Sequence, residues 1–175
     1  MHIFAVCRQF FAEMKINKTN AARLLDRAKI PYELIPYEVD ENNLAADHVA
    51  ESLGEDINLV FKTLVLHGER TGYFVCVIPG NREVDLKKAA RAAGAKKAEM
   101  IPMKELLPLT GYIRGGCSPI GMKKPFPTFI DQRAEGKEFI YISAGQRGLQ
   151  FKINPEQLRE FVGATFVDVS TEDTI

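Results

Sequence analysis

Two apolar runs separated by a short turn constrain this chain more than any other feature. Residues 59–67 read Leu-Val-Phe-Lys-Thr-Leu-Val-Leu-His and residues 73–78 read Tyr-Phe-Val-Cys-Val-Ile, with Glu69-Arg70-Thr71-Gly72 between them. β-Branched and aromatic side chains flanking a glycine-bearing turn predict a β-hairpin. The fold must therefore be assembled around an antiparallel pair. Period two places Lys62 on one face with Val60, Leu64 and Leu66, and Thr63 on the other with Phe61 and Val65. A lysine in an apolar row must carry its ammonium to water, meet an anion, or lose its charge. Two readings of Lys62 stand at this level: a lysine near the strand's start whose head reaches solvent, and a cation held for a ligand.

The segments around the hairpin alternate irregularly. A helix is predicted from Thr19 or Asn20, both good N-caps, with Ala21, Leu24, Leu25 and Ala28 on one face and Ile30-Pro31 at its end. Residues 32–39 read as a strand, and Pro36 makes it an edge. Residues 46–53 read as a helix stopped by Gly54. Asp85 caps a helix that runs through Ala93 to a stop at Gly94. A short strand at 98–101 and a helix near 103–107 follow, then strands at 128–130, 139–143 and 149–153. Asn154-Pro155 opens a last helix, asparagine as cap and proline at the first helical position. Gly163 ends it, and residues 165–169 form a final strand. This order predicts an α/β (α+β) fold with a mixed, largely antiparallel sheet, not a doubly wound parallel one.

Length and composition narrow the class further. With 175 residues, 46% apolar and 26% charged, the chain suffices for one domain with its own core. Its 23 basic and 23 acidic residues cancel, so any contact with nucleic acid must come from a local patch. The longest apolar runs are far too short to cross a bilayer. Cys7, Cys76 and Cys117 show no Cys-x-x-Cys spacing, which favours a reducing compartment. His2, His48 and His67 show no metal-ligand spacing. Arg8 and Glu13 set residues 1–13 apart from a secretory signal. The organisation expected is an extension over residues 1–17, one domain over 18–170 and a tail over 171–175.

The segment Gly111-Tyr112-Ile113-Arg114-Gly115-Gly116-Cys117-Ser118-Pro119-Ile120-Gly121-Met122-Lys123-Lys124 holds four glycines and three cations. A loop that gives up side chains lets something approach its backbone, and its cations suggest an anion. Its amides are suited to an oxyanion or phosphate, although the loop is neither a P-loop nor a dinucleotide fingerprint. A tight crossover fixed by Pro119 is the alternative. Cys117 reads better as a small buried thiol than as a nucleophile. Ser143-Ala144-Gly145-Gln146-Arg147-Gly148 is a second glycine-bearing turn, where Ser143 and Arg147 are suited to a polar ligand, or the turn is a plain hairpin. Lys87, Lys88, Arg91, Lys96 and Lys97 form either a solvated face or, with Lys123 and Lys124, a track for a phosphate backbone. No paired carboxylates, Ser/His/Asp order or zinc motif is present. Catalysis by such a chain would rest on positioning and backbone electrostatics.

Four spaced stretches resemble the YbaK/EbsC family: Phe61-Lys62-Thr63-Leu64, Val84-Asp85-Leu86-Lys87-Lys88, the loop at 111–124, and residues 143–149. The likeness runs from about residue 18 to 169. It implies a mixed, partly barrel-like sheet packed with helices, and a trans-editing deacylase of mischarged aminoacyl-tRNA, Cys-tRNA(Pro) and Cys-tRNA(Cys) in its YbaK branch. It implies no cofactor and no metal, a cytoplasmic location, tRNA(Pro) as substrate carrier and prolyl-tRNA synthetase as partner. Lys62 and Gly115 take the catalytic roles in that likeness, with Lys62 at the 3′-terminal phosphate or ribose. Tyr37, Thr63, Gly116, Ser118, Pro119, Ser143 and Arg147 surround the substrate, and Lys87, Lys88, Lys123 and Lys124 meet the tRNA. The family's implied mechanism is substrate-assisted: the cysteine thiol attacks its own ester, and a thiolactone leaves. Ala45 stands where some members carry phenylalanine and Gln150 where some carry aspartate, both around the amino-acid pocket. Deacylation of alanyl or another small aminoacyl-tRNA, and a non-catalytic tRNA- or nucleotide-binding role, are the alternatives.

Overall fold

The computed structural model describes residues 17–172. The expected extension thus lies outside the described residues except for Asn17, as do residues 173–175 of the tail. Local chemistry sets the helix ends. The Thr19 hydroxyl accepts from the Ala22 amide and opens α1 (Asn20–Arg27), and Asp85 accepts from the Lys87 and Lys88 amides to open α3 (Leu86–Ala93). The Asn154 side chain accepts from the Gln157 amide at the start of α5 (Pro155–Val162). The helices α2 (Ala46–Leu53), α3 and α5 each stop at a left-handed glycine, Gly54, Gly94 and Gly163. α4 (Met103–Thr110) runs past the 103–107 expected from the sequence and contains Pro108.

The hairpin forms as expected from β2 (Phe61–Gly68) and β3 (Gly72–Pro79), paired antiparallel from Phe61 opposite Pro79 to Gly68 opposite Gly72. Residues 57–59 turn as a 3-10 helix instead of extending the strand. A five-stranded sheet grows around the hairpin in the order β4-β2-β3-β5-β8, with β4 (Ala98–Met100) antiparallel to β2. β5 (Thr128–Asp131) and β8 (Thr165–Val167) add in parallel. The remaining strands, β1 (Glu33–Pro36), β6 (Ile140–Gln146) and β7 (Leu149–Ile153), make an antiparallel sheet in the order β1-β7-β6. β1 is an edge, as Pro36 requires. The fold is mixed α/β and mostly antiparallel. The two sheets touch through a bridge between Val60 and Tyr141 and do not close into a barrel.

The main core lies between the sheets. Phe61, Val65, Val75, Val77 and Ile130 of the larger sheet meet Ile140, Ile142, Phe151 and Ile153 of the smaller, with Leu25 of α1 and Leu158 of α5. Each fully buried aliphatic or aromatic side chain contributes about 1.5–3 kcal/mol to folding. The opposite face of the larger sheet packs Leu66, Phe74, Cys76 and Ile78 on Ala89 of α3. The two faces of β2 therefore divide as period two requires. Among the described residues no helix is long and apolar enough to cross a membrane.

The outer edge of β2 positions the site. β4 pairs with residues 66–68 of that edge, and the Ile101 amide reaches the Val65 carbonyl. The bridge to β6 takes Val60 at the other end. Between them residues 61–64, paired with β3 on their inner side, have no strand partner on this outer side among the described residues, so the edge stands open.

Candidate functional site

A cleft of ≈ 690 Å³ occupies this opening. Lys62, Thr63 and Leu64 line it from the open edge of β2, Ser143 and Gln150 from β6 and β7, and Arg114, Gly115 and Cys117 from the glycine loop. α2 stands at the Val60 end, where Gly80 lies against Ala46 and a Cβ there would collide. Lys62 is half-buried, and among the described residues it makes no ion pair. The Thr63 hydroxyl and the Gln150 side-chain carbonyl are buried without a hydrogen-bond partner among the described residues. A buried polar atom left unpaired costs about 1–3 kcal/mol. Two of them line one cleft with a cation that makes no ion pair among the described residues, an arrangement suited to a polar ligand.

The loop is held open to the cleft by its backbone. Gly115 has φ +83, a conformation side chains rarely adopt. A Cβ on Gly116 would sit 3.1 Å from Gln146 Cα and 3.2 Å from the Arg147 amide nitrogen, so the loop is pressed on the β6–β7 turn. Arg147 Nε donates to the Arg114 carbonyl at 2.9 Å and buttresses the same contact. The Gly116 amide is spent on the Ile113 carbonyl at 2.9 Å. Gly115 and Cys117 line the cleft, and their amides make no hydrogen bond to another described residue. Burial pushes the Cys117 thiol up to about 12, partly offset by a hydrogen bond with Thr110. It is therefore a neutral thiol at pH 7 and no nucleophile.

The residues singled out from sequence separate into three groups. Lys62, Thr63, Gly115 and Ser143 line the cleft together, as do Ala45 and Gln150. Ser143 Oγ accepts from the Gly145 amide at 3.2 Å. A second group stands behind the wall. Tyr37 is buried beside Val49 and Val60, Pro119 is buried, and Ser118 is wholly buried with its Oγ accepting from Ile120 N at 3.2 Å. Gly116 and Arg147 belong here too, as the seat of the loop. The third group lies outside the cleft's lining. Lys87, Lys123 and Lys124 are exposed, and Lys88 is engaged by Asp168 at 2.9 Å and by the Ser170 carbonyl at 3.3 Å. Sequence reasoning missed Arg114 and the methionines Met100 and Met103 as lining residues. Arg114 adjoins Gly115 in the chain, which was the available signal; for the methionines none existed. Among the described residues no three His, Cys, Asp or Glu side chains group as metal ligands.

Residues 40–161 match the family model of the aminoacyl-tRNA editing domain. The chain is 48% identical over 156 residues to EbsC of Enterococcus faecalis, named as a candidate Cys-tRNA(Pro)/Cys-tRNA(Cys) deacylase, covering 89% of this chain and 95% of that protein. It is 29% identical over 125 residues to the proline–tRNA ligase of Shouchella clausii, covering 71% of this chain and 22% of the ligase. A solved structure described as a candidate trans-editing enzyme for prolyl-tRNA synthetase superposes with a TM-score of 0.74 at 24% identity, covering 89% of this chain and 100% of that one. That last likeness is one of fold.

Proposed function

The chain belongs to the aminoacyl-tRNA editing domain family, and from that premise we propose that it is a trans-editing deacylase that removes cysteine from mischarged Cys-tRNA(Pro), and from Cys-tRNA(Cys). The observation that carries this reading is the unpaired Lys62 in one cleft with the free amides of Gly115 and Cys117. Lys62 binds the terminal ribose or phosphate and fixes the ester. The two amides receive the charge that develops on the carbonyl oxygen. Thr63 and Gln150 offer unpaired acceptors to the donors of the substrate's amino-acid and ribose end.

The step needs no protein nucleophile. The substrate thiol attacks its own carbonyl carbon, a carbon–sulfur bond forms and the bond to the ribose oxygen breaks. The thiol proton ends on the ribose hydroxyl, and cysteine leaves as a cyclic thiolactone that water later opens. Holding thiol and carbonyl together is the protein's main contribution. Cys117, neutral and buried, takes no covalent part. Such an activity belongs in the cytoplasm beside the translation machinery. Prolyl-tRNA synthetase is the expected partner, and the likeness to a segment of proline–tRNA ligases supports that pairing.

Hydrolysis of Cys-, Ala- and Ser-tRNA(Pro) measured side by side tests the reading. Cysteine should be removed fastest and serine at least about tenfold more slowly, since an alcohol is the poorer internal nucleophile. Fastest removal of alanine would reassign the substrate to a small aminoacyl group. Equal rates for cysteine and serine would mean attack by water. No hydrolysis with retained tRNA binding would make the domain a binding module.

A further inference from the structure

The opening in the edge of β2 has a defined hydrogen-bonding pattern. Successive residues of a strand turn their backbone groups to opposite edges. The Val60 carbonyl accepts from the Gly80 amide at 2.8 Å, on the side of β3, and the Val65 carbonyl accepts from the Ile101 amide at 3.3 Å, on the outer side. Lys62 and Leu64 therefore direct their backbone groups to β3, and Phe61 and Thr63 direct theirs outward. The bridge of Val60 to Tyr141 closes that outer edge at one end, and β4 closes it at the other. In between, the Phe61 carbonyl and the N–H and carbonyl of Thr63 have no outer-side backbone partner among the described residues. Both residues line the cleft. Two residues of strand make a window of about 7 Å, too short for a strand of peptide and close to the width of one nucleobase.

We infer that this window seats the adenine of the tRNA's terminal adenosine. The inference rests on the deacylase reading, which places the terminal ribose at Lys62, the residue between the two. The window offers an acceptor, a donor and an acceptor in that order. Adenine's Watson–Crick edge answers with a donor at N6, an acceptor at N1 and a C–H at C2. N6–H donates to the Phe61 carbonyl, N1 accepts from the Thr63 N–H, and C2–H lies against the Thr63 carbonyl. Guanine and uracil would set a ring N–H against the Thr63 N–H, and cytosine would set its carbonyl against one of the two chain carbonyls. Adenine alone of the four bases meets these three groups without opposing like to like. Leu64, Ile101, Met103 and Leu106 also line the cleft and suit the apolar faces of a flat ring. The terminal adenosine is common to all tRNAs, so the window adds affinity without choosing among them. Its contacts are to backbone, and no side-chain motif records them.

Base-modified substrates test the window without altering the protein. Cysteinyl esters of adenosine, 7-deazaadenosine, 1-deazaadenosine and inosine are compared as substrates. The second keeps the Watson–Crick edge, the third loses the N1 acceptor, and the fourth reverses donor and acceptor. The first two should be cleaved alike, and the last two with kcat/KM lower by about tenfold or more. In parallel the isotope-labelled protein is titrated with AMP, the terminal nucleotide without its ester, and with ribose 5-phosphate, which lacks the base. The Thr63 amide resonance should move with AMP and stay in place with ribose 5-phosphate. A 1-deazaadenosine or inosine ester cleaved as fast as the adenosine ester would overturn the inference. So would a Thr63 amide unmoved by AMP, or moved equally by both ligands. Cleavage of none of the esters would break the deacylase reading, and the AMP titration would still decide the window.

Discussion

The two outer regions of the five-stranded sheet treat buried polar groups in opposite ways. At the β5–β8 edge, Asp131 is wholly buried and both its oxygens are used. Oδ1 accepts from the Arg133 amide at 3.0 Å and from its guanidinium at 3.2 Å, and Oδ2 accepts from the Val169 amide at 3.2 Å. Arg133 also donates to Ser170 at 3.1 Å, and Lys88 ties Asp168 to the same knot. One oxygen departs from this pattern: Asp168 Oδ1 is buried without a hydrogen bond among the described residues and has only a 3.5 Å ionic contact with Arg133. At the β2 edge, by contrast, Lys62 makes no ion pair and the buried Thr63 and Gln150 oxygens no hydrogen bond among the described residues. A satisfied network holds strands together, and an unsatisfied one waits for something that is not part of the chain. The contrast separates structural charge from functional charge within one sheet. It also explains why Lys88, one of the cations singled out beside the resemblance, is bound up in the fold.

The contrast breaks most visibly through Asp131→Ala. Removing the carboxylate strands the Val169 amide and the Arg133 guanidinium, and unfolding by urea should show a loss of about 3 kcal/mol. Lys62→Ala should leave the same unfolding curve within about 0.5 kcal/mol of wild type. Equal destabilisation by both would dissolve the distinction.

A smaller effect is expected at the loop's seat. Gly116→Ala drives a Cβ toward backbone atoms of residues 146 and 147 that cannot swing aside. The loop must lift, and deacylation should fall about tenfold with a stability loss of about 1–2 kcal/mol. Unchanged kinetics would mean that the loop's distance from the β6–β7 turn is immaterial. Thr63→Val sharpens the comparison from the other direction. It deletes an oxygen that has no partner, so stability should rise by up to about 1 kcal/mol while kcat/KM falls. A loss of stability would reveal that the hydroxyl is already satisfied in solution.

The gentlest probe is pH. Burial raises the thiols of Cys76 and Cys117 from an ordinary 9.0 to about 12, and the Tyr112 phenol from 10.0 to about 12. The folded state therefore holds these protons more tightly than the unfolded chain. Their contribution is complete below about pH 9 and is lost as pH rises through about 12. The melting temperature should decline over that window, and Cys117→Ala should flatten part of the decline. A melting temperature independent of pH between 9 and 12 would refute the burial of these groups.

Local chemistry made much of this molecule legible in its sequence. Asn154-Pro155, the Asp85 cap and Gly54, Gly94 and Gly163 mark helix ends because capping involves only neighbours in the chain. The hairpin was readable for the same reason, and with it the division of Lys62 and Thr63 between two faces. The parallel addition of β5 and β8 was not readable, since nothing in residues 128–131 or 165–167 records which distant strand they meet. The site divides along the same line. Lys62 and Gly115 carry a local oddity, a cation in an apolar row and a glycine at a left-handed turn. The seating of Arg147 on the Arg114 carbonyl, the burial of Ser118 and the idle oxygen of Gln150 arise only when segments far apart in sequence are brought together.

The account rests on Lys62 being a ligand for the substrate and on its having no structural duty. The most direct measurement is the single-turnover rate of Cys-tRNA(Pro) hydrolysis by Lys62→Ala, taken beside its melting temperature. The account predicts a rate at least about 100-fold below wild type, the scale of a lost transition-state contact, at an unchanged melting temperature. Hydrolysis at the wild-type rate by a normally folded Lys62→Ala protein would contradict it.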